Sequence, residues 1–226
     1  MTCGVLVGCD KAQEWMLPWW LANFRAHNKL PIAFIDLGMS DKTREWCKAQ
    51  GYLISLRALN GFVFPKELIT SAMSEKWEEL RGASVWRSRL FWFYKPFALL
   101  QTPFEKTLWL DIDCEVLTSL EGLFQKLRFF PMALAKDSLG FYNTGVIVYK
   151  RDAPLLAHWA AACVAENDQV LSDQQVLMQL PQENVGELAP KYNWLVQKGV
   201  HPEAAVLHWA GVWGKEAIRR QIRAHC

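Results

Sequence analysis

Two carboxylates one residue apart, Asp111 and Asp113, interrupt the apolar run Leu108-Trp109-Leu110-Asp111-Ile112-Asp113-Cys114-Glu115-Val116-Leu117. Burying such a pair is costly unless a cation or strong donors sit on it, and no basic residue stands beside it in sequence. A hard divalent ion meets that need. Oxygen ligands at this density suit magnesium or manganese, with a substrate phosphate completing the coordination. The chemistry implied is metal-assisted work on a phosphate-bearing substrate. Two solvated aspartates at a strand end are the plain alternative, and the surrounding elements must decide.

The run, with polar Lys106-Thr107 before it, reads as a strand buried on both faces of a mostly parallel sheet. Upstream, Cys3 to Cys9 is a small apolar strand ending at Asp10, followed by helical spacing from Ala12 to Ala26. Pro18 lies inside that spacing, which predicts a kink or a late helix start. Ile32 to Leu37 is a second strand, Ser40-Asp41 caps a helix through Gln50, Gly51 ends it, and Tyr52 to Leu56 is a third strand. This rhythm is a nucleotide-binding α/β half, in which ligands sit at the carboxyl ends of the strands. Asp10 is thereby expected to share one crevice with Asp111 and Asp113.

Arg57 to Arg81 reads as loop plus a helix near Ser71 to Leu80, and Ser84 to Gln101 as a long helix with Pro96 marking a kink. Arg87, Arg89 and Lys95 alternate there with Trp86, Phe91, Trp92 and Phe93. That pattern suits a nucleic-acid surface, but a net charge of +2 favours a helix with one buried aromatic face. Ser119 to Gln125 is a short helix or turn, and Met132 to Ala135 a strand. Phe141 to Tyr149 is a polar turn, or bulge at Asn143-Thr144-Gly145, running into a strong strand. Asp152-Ala153-Pro154 opens a helix to Glu166, and Ser172 caps another through Leu180. Val206 to Gly211 carries His208, whose plain reading is a satisfied structural histidine. Lys215 to His225 is a basic helix, a solvated face or a contact for anionic lipid.

A chain of 226 residues, 51% hydrophobic and 21% charged, is long enough for one sizeable core and gives no sign of disorder. Twelve tryptophans serve core and sugar-stacking surfaces alike. The six cysteines (Cys3, Cys9, Cys47, Cys114, Cys163, Cys226) lack zinc spacing, so free thiols in a reducing compartment are expected. Leu6-Val7-Gly8-Cys9 is too short and lacks the basic flank of a signal peptide, and no stretch has the apolar length of a membrane span. The expectation is a cytoplasmic protein, soluble or peripheral to the membrane.

The aspartate-any-aspartate string after a hydrophobic strand resembles the metal motif of nucleotide-sugar glycosyltransferases of the GT-A fold. Haloacid-dehalogenase phosphatases use a similar pair on the first strand of their core, whereas here three strand–helix units precede it. The resemblance sharpens to the retaining family 8 glycosyltransferases and runs from the first strand to about Lys215. Phe141-Tyr142-Asn143-Thr144-Gly145-Val146 resembles that family's aromatic-Asn-small-Gly segment, Asp173-Gln174 its Asp-Gln pair, and His208-x-x-Gly211 its C-terminal metal histidine. Two departures stand out. The family's lysine follows its histidine by six residues, whereas position 214 is Gly and Lys215 follows by seven. Gln13 stands where an aromatic residue often follows the first-strand aspartate. Lys95-Pro96-Phe97-Ala98-Leu99-Leu100 also looks like mannosyltransferase-type sequences, leaving the subfamily open.

The resemblance implies one GT-A domain, α/β with a mostly parallel central sheet flanked by helices. It comprises a nucleotide-binding half (1–115), a donor-sugar and acceptor half (116–214) and a basic C-terminal helix (215–226). It implies manganese or magnesium held by Asp111, Asp113 and His208, with a basic residue upstream of the motif, Lys95 in preference to Arg89, and Lys215 offsetting diphosphate charge. Asp10 reads the base, uridine first. Asn143, Thr144 and Gly145 lie against the donor sugar, and Asp173 and Gln174 hold its hydroxyls near the anomeric carbon. The implied reaction moves a hexose from a nucleotide-sugar to a glycan, lipopolysaccharide or protein acceptor, with retention. The competing readings are a metal-dependent phosphatase or nucleotidyltransferase, and a catalytically silent sugar-nucleotide-binding protein. No glycine-rich, lysine-bearing loop near the N-terminus supports the nucleotidyltransferase.

Overall fold

The computed structural model describes residues 2–56, 61–137 and 140–224; Arg57, His225 and Cys226, which figure in the expectations above, lie outside them. The chain alternates strand and helix through its first half: β1 (Cys3–Cys9), α1 (Leu17–His27), β2 (Ile32–Asp36), α2 (Asp41–Gln50), β3 (Tyr52–Ser55), α3 (Ser71–Arg81), α4 (Val85–Leu100) and β4 (Lys106–Leu110). It continues with β5 (Cys114–Val116), β6 (Met132–Lys136), β7 (Tyr142–Lys150), α5 (Pro154–Glu166), α6 (Asp173–Gln179), β8 (Val185–Leu188), β9 (Trp194–Leu195), β10 (Val206–His208) and α7 (Gly211–Ala224).

The local signals explain most boundaries. Pro18 occupies the first turn of α1, where a missing N–H costs nothing, so the helix starts late after a 3-10 turn at Glu14–Met16. Ser40 caps α2 by accepting the Thr43 N–H at 3.3 Å. Gly51 caps the end of α2 with its N–H on the Cys47 carbonyl at 2.9 Å, and having no Cβ it clears the Ile32 carbonyl. Pro96 sits inside α4, which continues through it to Leu100. Ser172 occupies the N-cap of α6 but makes no side-chain capping bond, so the expected cap is positional only. The tail helix begins at Gly211, four residues before the expected Lys215. The segment expected as a short helix or turn at 119–125 is a 3-10 helix at Glu121–Arg128.

Seven strands form one sheet in the order β3-β2-β1-β4-β7-β6-β8, parallel except that β7 runs antiparallel to β4 and β6. Alternation along the central strands feeds two cores. Val5, Val7, Leu108 and Leu110 face a layer containing Trp20 and Phe24 of α1, whose rings stack 5.3 Å apart, and Ile218 of α7. Leu6 and Trp109 face the other, with Phe93 of α4 and Trp159 of α5. Both faces of β1 and β4 are covered, which is why those strands read as unbroken apolar runs.

The run from Leu108 to Leu117 is not one strand. It breaks at the aspartates: β4 stops at Leu110, a turn closes with the Cys114 N–H on the Asp111 carbonyl at 3.0 Å, and β5 joins a second sheet, β5-β10-β9. Aspartate is a poor strand residue, and here two of them carry the chain from one sheet to the other. In that small sheet Cys114 lies opposite His208, antiparallel. A second irregularity faces this turn. Asn143 to Gly145 is not a turn preceding β7 but lies within it, where the register against β6 slips: Ala135 pairs with Asn143 and Leu134 with Ile147. Thr144, Gly145 and Val146 therefore have no partner on β6, a bulge of the kind that re-aims side chains beside sites.

Candidate functional site

His208, at the end of β10, is 5% exposed and stands over the Asp111–Asp113 turn. Its tautomer follows from a chain of bonds anchored on the backbone. The Gly145 N–H donates to Asn143 Oδ1 at 3.0 Å, so that atom is an oxygen; Asn193 turns its Nδ2 to the same oxygen at 2.7 Å. Asn193 then presents Oδ1 to His208 Nδ1 at 2.9 Å, which places a proton on Nδ1. Nε2 is left facing the carboxylates, 3.4 Å from Asp113 Oδ1 and 3.9 Å from Asp111 Oδ2. Gly145 is what lets the ring sit there, because a Cβ at that position would overlap its Cε1 and Nδ1. An imidazole oriented from behind by an amide, with Nε2 turned toward two carboxylates, is a set of groups that could hold a divalent ion.

The same geometry sets the charges. Burial pulls the His208 pKa down, but the bond to Asp113 and the charges of Asp113 and Asp111 outweigh it and hold the ring above its ordinary value. Burial pushes Asp113 up, and the imidazole, with Lys215 adding charge, brings it below the usual carboxylate range. Cys114 also faces the cluster, but burial holds its thiol far above the range of a thiolate, and it donates weakly to the Gly145 carbonyl at 3.7 Å.

Lys95, on α4, reaches the other side of Asp111, with Nζ 2.9 Å from Oδ1. It is buried, and leaving such a charge without its partner costs roughly 3–5 kcal/mol, so the pair is maintained. Despite the opposing pull of burial, Asp111 and Asp173 keep its pKa raised. Nζ also lies 3.2 Å from both the carbonyl and the hydroxyl of Thr144. Thr144 is a junction: its hydroxyl donates to Asp173 Oδ2 at 3.4 Å and its N–H to Gln174 Oε1 at 3.3 Å. The bulge in β7 thus ties the first turn of α6 to the aspartate turn. Asp173 is buried, and burial pushes its pKa up to about 6 although Lys95 works against this.

The sequence-derived residues therefore fall into one constellation, Asp111, Asp113, His208, Lys95, Asn143, Thr144, Gly145, Asp173 and Gln174, with Asp10 at the neighbouring strand end. β1 and β4 are adjacent and parallel with Leu6 opposite Trp109, which sets Asp10 beside the Asp111–Asp113 turn. Lys215 lies in α7, half-buried, acting on Asp113 by its charge. The unexpected glycine at 214 has a steric cause: a Cβ there would overlap the carbonyl of Trp209, so no lysine fits six residues after His208. Gly214→Ala is expected to cost about 2–3 kcal/mol, lowering the thermal midpoint by roughly 4–10 °C in a melting experiment. An unchanged midpoint would mean that the start of α7 yields freely. Three contributors were not singled out from sequence. Trp109 donates its indole N–H to Asp111 Oδ1 at 2.7 Å, Asn193 orients His208, and Arg87 pairs with Asp10. The indole next to the motif was the one legible signal, since a strand places Trp109 and Asp111 on the same side.

No protein family matches the sequence, and no curated protein matches it either. Solved structures do match. The galactosyltransferase LgtC, in complex with donor and acceptor sugar analogs, superposes with a TM-score of 0.70 at 15% identity, over 98% of this chain and 95% of that one. The glycosyltransferase GlyE of Streptococcus pneumoniae matches with 0.66 at 17% identity over 93% of this chain, which spans 55% of GlyE. Mouse xyloside xylosyltransferase 1 matches with 0.60 at 16% identity, over 92% and 97% of the two chains. The chain has the GT-A fold of these glycosyltransferases.

Proposed function

We infer that this chain is a metal-dependent hexosyltransferase that moves a sugar from a nucleotide-sugar, UDP-linked, to a glycan or lipid-linked glycan acceptor with retention of configuration. The observation carrying this reading is the cradle at His208, where Gly145 makes room for an imidazole whose Nε2 faces Asp113 and Asp111. Two carboxylates and an imidazole fit manganese or magnesium. A divalent ion bound there supplies Lewis-acid and electrostatic offset to the diphosphate leaving group.

The remaining work falls to the chain. Lys95, fixed by Asp111 and Thr144, brings a permanent positive charge to the side of the crevice where the diphosphate would lie. Asp173 and Gln174, joined to it through Thr144, would hold sugar hydroxyls near the anomeric carbon, with Asp173 the nearer candidate for any nucleophile. Lys215 adds charge beside Asp113, and Asp10 stands at the neighbouring strand end. Cytoplasmic residence belongs to the same reading, with α7 as the face turned to an anionic surface. Part of that face is already engaged, because Arg219 stacks over Trp15 at 4.0 Å while Arg220 and Arg223 stay exposed. No described helix is long and apolar enough to cross a membrane.

The test is release of UDP from UDP-galactose and UDP-glucose with manganese, with and without a panel of glycoside acceptors. Turnover of one donor that requires manganese supports the reading; no turnover of any nucleotide-sugar would count against it. A pH dependence follows from Asp173. Because burial raises its pKa to about 6, the ionised carboxylate that would hold a sugar hydroxyl or act as nucleophile is lost below that pH. Turnover is expected to fall as pH drops through 6, by about tenfold per unit. Asp173→Asn should be inactive at every pH while keeping UDP affinity within about threefold. Full activity at pH 5 would remove Asp173 from the mechanism.

A further inference from the structure

The ion pair between Asp10 and Arg87 is lopsided: the aspartate side chain is 6% exposed and the arginine side chain 55%. Asp10 is spent inside the protein. Its Oδ1 accepts the Gln13 N–H at 2.9 Å, its Oδ2 takes Nη2 of Arg87, and its carbonyl accepts the N–H groups of Gln13 and Glu14. Arg87 is the opposite case. Among the described residues only its Nη2 has a partner, and with the side chain 55% exposed the rest of its five-donor fork is open to solvent beside the end of β1.

Charge at that end calls for a cation. Asp10 follows the end of β1, and Asp111 and Asp113 that of the adjacent β4, and a nucleoside diphosphate would add further negative charge. Arg87 and Lys95 lie eight residues apart on α4, on one broad face and about 12 Å apart along the axis. Each is pinned to a carboxylate at a strand end, Arg87 to Asp10 and Lys95 to Asp111.

We propose that Arg87, and not Asp10, is the group that meets the donor at this end of the crevice, gripping a phosphate oxygen of the nucleoside diphosphate, while Asp10 is a positioning residue that holds the guanidinium in place. A planar fork with one edge fixed by a buried carboxylate keeps its other edge preoriented for a bidentate phosphate contact, losing little freedom on binding. A carboxylate whose side chain is only 6% exposed, with a partner on each oxygen, offers little access to a base N–H. The inference rests on the nucleotide-sugar reading and changes the role that resemblance assigns to Asp10.

The experiment is calorimetric titration of UDP and CDP, with manganese, into the wild-type protein, Arg87→Met, Arg87→Lys and Asp10→Asn, with melting curves to confirm folding. Arg87→Met is expected to weaken UDP and CDP together by roughly 10- to 100-fold, leaving their ratio unchanged. Arg87→Lys should recover only part of the loss. Asp10→Asn should weaken both nucleotides less than Arg87→Met does, again without altering the ratio. If Asp10→Asn abolishes a preference for UDP over CDP, Asp10 reads the base and the proposal is overturned. It is overturned equally if Arg87→Met leaves both affinities within about twofold of wild type. A wild-type protein that binds neither nucleotide would overturn the nucleotide-sugar reading itself, a result distinct from a variant that fails beside a wild type that binds.

Discussion

Asp113→Ala is expected to abolish manganese-dependent binding of UDP, a loss of at least about 100-fold, and turnover with it. Asp113 is buried, and its Oδ1 is the nearer of the two carboxylate neighbours of His208 Nε2, at 3.4 Å against 3.9 Å for Asp111. Asp111 cannot make up for it, because it is itself one of the three groups that would hold the ion, and its Oδ1 is shared with Lys95 and the Trp109 indole. Removing Asp113 leaves an imidazole and one preoccupied carboxylate, too few ligands for a hard divalent ion. Asp113→Asn keeps the shape and removes the charge, and should lose affinity to nearly the same extent. The check is calorimetry of UDP with and without manganese for both variants. Wild-type affinity in Asp113→Ala would move the metal elsewhere.

Gly145→Ala should be nearly as damaging, although it adds one methyl and touches no ionisable group. Gly145 does not have a positive φ, so alanine is acceptable to the backbone and the effect is purely steric. The new Cβ would overlap Cε1 and Nδ1 of His208 and come within 3.1 Å of Asn143 Oδ1. It therefore strikes both the ring and the amide relay that orients it. The imidazole has to leave its place between Asn193 and the aspartates. Manganese-dependent UDP affinity is expected to fall by roughly 30-fold or more, while the melting midpoint changes by only a few degrees. The contrast with Gly214→Ala is informative, since that substitution strains the start of α7 and should cost stability first. If Gly145→Ala binds manganese and UDP normally, His208 is not a ligand.

Much of this site was legible in the sequence because its residues are punctuation in otherwise apolar runs. Asp10, Asp111 and Asp113 stand where strands end, and the strand–helix rhythm alone brings such ends together. The α/β architecture and the helix boundaries at Ser40, Gly51 and Pro154 follow from capping chemistry that acts within a few residues. What stayed hidden depends on contacts far apart in the chain. The break of the Leu108–Leu117 run into two sheets is decided by β10, about 90 residues downstream, which offers β5 an antiparallel edge. The placing of Asn143-Thr144-Gly145 inside β7 depends on register against β6, which local turn signals do not encode. Asn193 carries no motif at all, and its role emerges only when it is found between Asn143 and His208. Arg87 was noticed as one cation in an aromatic helix, and only its partner distinguishes it from Arg89. That residue is buried against the carbonyls of Asn167, Val170 and Leu171 and the ring of Trp77, and Asp168 acts on it by charge.

The measurement that bears most directly on the metal-dependent nucleotide-sugar site is calorimetric titration of the wild-type protein with UDP, GDP and CDP, each with and without manganese. The expected result is binding of one nucleotide, UDP, that requires manganese and disappears in Asp113→Ala. Binding of none of them, or binding of UDP indifferent to manganese and to Asp113, would contradict it.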